Sequence, residues 1–145
     1  MKTLKLDTSN LEEAFFEDAC MLGIVASLKD YQFCWQLNHL LKFDFRNNNE
    51  IEIQLKKKKR TYFFTVFEYC EPNCSLAHYL YNNQFDGEYL LPEFKHLDYL
   101  WLMKGDPVTT EKLQDLIATM RNINGVQLVT ALSPEKIRHK GHLIF

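Results

Sequence analysis

The sequence predicts an α+β fold: an antiparallel, meander-rich sheet with two main helices packed on one face. Three observations predict it. Two segments, one early and one late, carry apolar residues at helical spacing. Between them lies a series of strand-like runs joined by short turns, which suits antiparallel pairing. The 145 residues contain no Gly/Ser-rich or Pro-rich linker, so one domain is expected over 1–145. A domain of this length buries roughly 68–70% of the surface its unfolded chain exposes, enough to need neither disulfide nor metal.

The elements follow in order. "KTLKL" at 2–6 alternates weakly and suggests a short strand, and residues 10–17 suit a helical turn or an extended entry. "CMLGIVA" at 20–26 is a short apolar run, as in a strand buried on both faces. Ser27 reads as an N-cap with Asp30 three residues on, and Leu28, Tyr31, Cys34, Trp35, Leu37 and Leu41 follow at helical spacing. This predicts a first helix over about 28–41. "RNNN" at 46–49 signals a turn. Ile51, Ile53 and Leu55 alternate with polar residues, as in a half-buried strand. "KKKKR" at 56–60 reads as a connection, and "TYFFTVFEY" at 61–69 as one strong β-branched and aromatic strand. "SLAHYLYNN" predicts the next strand and "QFDGEYLLPEFKH" an irregular segment.

Residues 97–104 then alternate, with Leu97, Tyr99, Trp101 and Met103 on one face and Asp98, Leu100, Leu102 and Lys104 on the other. Asp106-Pro107 offers an N-cap with proline at the first helical position. Leu113, Leu116, Ile117 and Met120 mark the buried stripe of a second helix, which Asn124-Gly125 closes. "VQLVTAL" at 126–132 is the last strand. The order strand–helix–several strands–helix–strand gives the fold a ferredoxin-like flavour with extra strands.

Composition narrows the function. The net charge of −2 gives no global pull toward nucleic acid or anionic membrane. The N-terminal residues lack the apolar core of a signal peptide, and the longest mostly apolar stretch, 19–26, is too short to span a bilayer. Cys20, Cys34, Cys70 and Cys74 read as reduced thiols of a cytoplasmic protein. Eleven Phe and seven Tyr make an aromatic share of 14%, enough to fill a core and to cover an interface.

Three clusters invite a functional reading. Lys56, Lys57, Lys58, Lys59 and Arg60 could neutralise phosphates, and Arg60, Tyr62, Phe64 and Phe67 partly match a basic-aromatic RNA-recognition strand. Thr61, Phe63 and Thr65 depart from that pattern, and a solvated hairpin that discourages edge pairing explains the run equally. Cys70, Cys74 and His78 carry zinc-ligand chemistry, but their equal four-residue spacing and the missing fourth ligand argue against a metal. No cofactor is implied. In "LPEFKHLDY" at 91–99, Glu93, His96 and Asp98 could form an acid/base set. The competing, preferred reading is structural: Pro92 opens an extended strand start, and Glu93 and Asp98 accept hydrogen bonds from turn N–H groups.

The same stretch resembles the signature of the IPExxxVDY family, a family of small bacterial proteins. Pro92, Glu93, Asp98 and Tyr99 match it, with Leu91 and Leu97 as apolar substitutions. "GIVASLKDYQFCWQLNHLL" at 23–41 is similar to the family's strand and helix, with Lys29 in place of an acidic residue, and the closing "LIF" resembles its ending. The resemblance implies a compact cytosolic domain and assigns no activity or ligand. The sequence therefore ranks three functions. First comes a non-enzymatic interaction domain, homodimeric through an aromatic sheet face or edge or bound to another protein. An RNA-binding domain using the lysine run follows, then an enzyme using Glu93, His96 and Asp98.

Overall fold

The computed structural model describes residues 13–48, 50–51, 53–57 and 59–145, so the strand expected at 2–6 lies outside them. Of the expected entry at 10–17, residues 13–15 are helical. The architecture is α+β. The main sheet contains β1 (Cys20–Ala26), β2 (Arg46–Asn47), β5 (Val66–Cys70), β6 (Ala77–Asn82), β9 (Tyr99–Lys104) and β10 (Val126–Leu132). Their order is β10-β1-β9-β6-β5-β2, and every neighbouring pair is antiparallel. Helix α1 (Asp30–Leu41) carries the chain from β1 to β2 across three strands, and helix α2 (Thr110–Arg121) carries it from β9 to β10 across β1. Each helix thus joins two parallel strands. Right-handed crossovers in opposite directions along a sheet put both helices on one face. Phe33, Cys34 and Leu37 of α1 and Leu116, Ile117 and Met120 of α2 pack there on Leu22, Ile24, Tyr99 and Trp101.

The other face is covered too. β3 (Ile53–Lys57) and β4 (Arg60–Phe64) form a separate hairpin. Its Ile53, Leu55 and Phe64 share a core with Met21, Tyr79, Tyr81, Leu100 and Leu102 of the main sheet. Leu90, Leu91 and Leu97 join this core, as do Ile137 and Leu143 from the last residues. Double coverage explains why the central strands are apolar on both faces. In β1, Gly23 leaves room for it: a Cβ there would lie 2.4 Å from Leu97 Cδ1.

Several expected boundaries move. The single strand expected over 61–69 breaks at Thr65, because its first half serves the hairpin and its second half the main sheet. Lys56 and Lys57 are strand, paired with Thr61 and Arg60, and not connection. The segment read as irregular contains a small hairpin, β7 (Gln84–Phe85) with β8 (Glu88–Tyr89). Asp86 and Gly87 both take positive φ at its tip, the geometry a two-residue hairpin turn demands. The face that 97–104 presents is as expected from Tyr99 onward, but Leu97 precedes the strand and packs in the opposite core.

Both helix starts also shift. Ser27 does not cap α1; its N–H donates to the Gly125 carbonyl at 2.9 Å, closing the end of β1 against the turn before β10. The N-cap is Lys29, whose N–H donates to Gln32 Oε1 at 3.1 Å. Thr109 caps α2, its Oγ1 accepting from Lys112 N–H at 3.2 Å. Asp106 instead accepts from Ser75 N–H across two loops, 2.9 Å away.

Candidate functional site

Helix α1 presents the surface best suited to a partner. Its inner positions Phe33, Cys34 and Leu37 are buried, which turns Tyr31, Trp35 and His39 outward at successive helical turns. Trp35 is 62% and Tyr31 60% exposed, the largest solvent-facing fractions among the big hydrophobic side chains described. The His39 ring stacks on Trp35 at 5.2 Å with nearly parallel planes, holding the indole in place. Leu28, Tyr31, Gln32, Trp35 and Gln36 line a groove of about 390 Å³ beside it. From Tyr31 to Leu41 there is no Asp, Glu, Lys or Arg, in a chain where such residues make up 25%. Helix α2, by contrast, carries Glu111, Lys112, Asp115 and Arg121. Exposed Trp and Tyr with depleted charge is the composition of an interface core, not of ordinary surface.

The sheet offers less. Its β2 edge is two residues long and includes Arg46, which is paired with Asp44. At β10, the Ile24 carbonyl accepts from Asp98 N–H on the β9 side, so Val129, opposite Ile24, directs its own backbone groups to the free edge. Arg121 Nη2 covers the Val129 carbonyl at 3.3 Å, and a bulge at 25/26 disturbs the register. Both edges are therefore blunted against pairing. The expected aromatic sheet face is filled by the two cores, and the exposed aromatic face belongs to α1.

The residues of 91–99 are brought together as a structural lock. Pro92 opens a short 3-10 turn, Pro92–Phe94. Glu93 reaches His139, accepting its backbone N–H at 2.9 Å and meeting its Nδ1 at 2.7 Å. Burial would raise the Glu93 pKa, but these hydrogen bonds and one from its own backbone outweigh burial and hold it below the usual value. Asp98 Oδ2 accepts from Ala26 N–H at 2.9 Å, extending the β1–β9 ladder with a side chain. Tyr99 donates its hydroxyl to the Leu28 carbonyl, and its pKa is raised by burial and by Asp30 and Asp98 nearby. Glu93 and Asp98 thus accept backbone N–H groups: Glu93 from its own turn and from the C-terminal segment, Asp98 from β1. His96 is exposed. The three side chains of the proposed acid/base set are committed to separate surroundings.

The residue that ties this loop down is one the sequence reading passed over. Asn83 is fully buried. Its Nδ2 donates to the Phe94 and Leu97 carbonyls at 2.9 Å each, and its Oδ1 accepts from Leu91 N–H at 2.8 Å. Next to it, Asn82 Nδ2 donates to Asp30 Oδ2 at 2.9 Å, joining β6 to the start of α1.

The lysine hairpin projects from the second face. Lys56 and Lys59 are exposed, and Arg60 pairs with Asp86 while its guanidinium lies 5.0 Å from the Tyr62 ring centroid. Phe64 is 4% exposed, a core residue unable to stack on a base. Phe63, read from sequence as a departure from the RNA pattern, is the outward ring at 48% exposure. The first strand is no neighbour of this hairpin, so no paired aromatic platform forms.

Cys70, Cys74 and His78 do not assemble as a ligand set. His78 is buried in a polar chain. Trp101 Nε1 donates to its Nδ1 at 3.1 Å, which places the remaining ring proton on Nε2, 2.6 Å from Glu71 Oε2. Lys112 Nζ donates to both Glu71 oxygens at 3.1 and 3.2 Å. Burial lowers the His78 pKa against the pull of Glu71, so the ring is neutral at pH 7. For Glu71, burial opposes ionisation but hydrogen bonds from His78 and Lys112 win, and the pKa falls. All four cysteines are free thiols, and burial with Asp30 nearby pushes Cys34 up to about 12. Among the described residues no three His, Cys, Asp or Glu side chains could together hold a metal ion, and no helix is long and apolar enough to cross a membrane.

No family model matches the chain, and no curated protein matches it in sequence.

Proposed function

We propose that this protein is a non-enzymatic interaction domain that associates with a second copy of itself through helix α1. The supporting observation is the uncharged, aromatic outer face of that helix. Knob and groove lie on the same patch: Trp35 projects beside the hollow formed with Leu28, Tyr31, Gln32 and Gln36. A two-fold axis near Trp35 sets each indole against the partner's groove, the self-complementarity an isologous dimer requires. An uncharged patch meets its own copy without like-charge repulsion. The helix is about 18 Å long, so the contact falls at the small end of specific interfaces, below about 1,200 Å² in total, where association is reversible. Residues 91–99 serve this surface indirectly, since Tyr99, through Leu28, holds the start of α1 in place together with Asn82 of β6, through Asp30. The family resemblance and the free thiols support a cytosolic setting for such a domain.

Acrylamide quenching tests the reading. Trp101 is fully buried, so Trp35 is the indole a quencher reaches. Protection that grows with protein concentration supports the dimer. Full accessibility at every concentration contradicts it.

A second reading, single-stranded RNA binding, rests on Phe63 sharing the outward face of the hairpin with Lys56. It predicts salt-sensitive binding that weakens in both Phe63→Ala and Lys56→Gln. Affinity unchanged in these variants discards it.

A further inference from the structure

Past the end of α1 the helical face of the sheet is not fully covered. Lys42 takes positive φ, 59°, and stops the helix. Between that end and helix α2, a cavity of about 180 Å³ opens over β6 and β9. Its floor is His78 and Met103, which stand opposite each other on those two strands. Leu41 and Phe43 wall it from the α1 side and Leu116 from α2. The Phe43 and His78 rings lie 4.9 Å apart, tilted by 40°, so two aromatic rings meet in this wall. None of these residues belongs to the groove beside Trp35.

The wall is almost wholly apolar. Its polar side chains have their partners elsewhere. Both His78 nitrogens are engaged, one by Glu71 and one by Trp101. The Lys112 ammonium sits on Glu71, and Thr119 Oγ1 donates to the Asp115 carbonyl. Water against such a wall lacks the roughly 2–4 polar partners that order it. Displacing it with an apolar group gains affinity. A charged ligand would give up hydration and find no countercharge. Size narrows the occupant further. The volume exceeds the roughly 150 Å³ known to hold a benzene molecule in an apolar protein cavity. It falls short of the roughly 300 Å³ at which drug-sized ligand pockets begin.

We propose that this cavity is a binding site for a neutral, apolar molecule built on a single aromatic ring, about the size of benzene or toluene. Phe43 and His78 offer ring-to-ring contacts to such a molecule. The unbranched Met103 side chain adapts to its outline. The site stands apart from the proposed dimer surface, and neither depends on the other.

The test is a backbone-amide NMR titration of the full chain at neutral pH with toluene, benzylamine and benzoate, compounds of similar shape that differ in charge. Toluene is expected to give saturable shifts centred on Phe43, His78, Met103 and Leu116. Benzylamine and benzoate, both charged, are expected to bind at least about tenfold more weakly. Leu116→Phe and Thr119→Phe each add bulk to the lining. Thr119 is only half-buried, so its variant should keep the dispersed spectrum of a folded protein. A folded variant of either kind should lose toluene binding. The absence of saturable shifts at millimolar toluene overturns the proposal. So does a charged compound that binds as tightly as toluene, toluene binding unchanged in the folded variants, or shifts centred on Tyr31 and Trp35 instead.

Discussion

Asn83 carries more of the fold than any residue that sequence reading singled out. It sits in "YNNQ", where an asparagine reads as turn punctuation, and nothing in that pattern announces that its side chain is buried and satisfies three backbone groups of the 91–97 loop. Asn83→Leu leaves the Leu97 carbonyl and the Leu91 N–H without this partner in the interior, each costing about 1–3 kcal/mol, while the Phe94 carbonyl keeps its bond from Leu97 N–H. A loss of about 3 kcal/mol or more in urea unfolding is expected. A loss near zero would show that water replaces the amide at no cost. His78 is a second buried polar residue whose role is structural, and it titrates in a known direction. Its folded pKa lies below the unfolded value of 6.5, so the unfolded chain takes up the proton first as pH falls. Stability is therefore full above about pH 6.5 and declines below it. Glu71 and Glu93 act at lower pH: their folded pKa values lie below 4.5, and their contribution is lost as pH falls through those values. His78→Gln should flatten the first decline and leave the Glu93 part of the second, as read from thermal unfolding across the pH range.

At the scale of elements, periodicity located both helices and the first and last strands, because each has a single environment along its length. It failed where one segment serves two environments. In 61–69 the alternation of β-branched and aromatic residues runs unbroken through Thr65, yet the chain changes sheets there. Propensity reports that a strand forms, not which strand it pairs with. The helix starts show a related limit. Asp106-Pro107 and Thr109 are both N-cap signals three residues apart, and only the loop bond from Ser75 to Asp106 decides between them. Thr109→Ala should therefore cost about 1 kcal/mol of stability and Thr109→Ser little. If Thr109→Ala is silent in denaturant titrations, the cap does not matter to α2. The Asp86-Gly87 hairpin was legible from its turn residues and was passed over inside a segment read as irregular.

At the scale of the whole molecule, the aromatic excess has two destinations. Most rings fill the two cores on either side of the sheet, so aromatic content alone overstated the surface available to partners. Of the rings left outside, the two most exposed, Tyr31 and Trp35, lie on α1, where Trp35 looked, in sequence, like one more member of the buried stripe. Its neighbour Cys34 takes the inner position, and one step of about 100° around the helix turns the indole to solvent. The absence of Asp, Glu, Lys and Arg from Tyr31 to Leu41 was visible in the sequence and was the signal that could have found the surface. Sedimentation equilibrium of the wild type and Trp35→Glu, over micromolar to submillimolar concentrations, tests self-association most directly. The account predicts a reversible dimer for the wild type and a folded monomer for Trp35→Glu. A wild type that stays monomeric throughout, or a dimer indifferent to the glutamate, would contradict it.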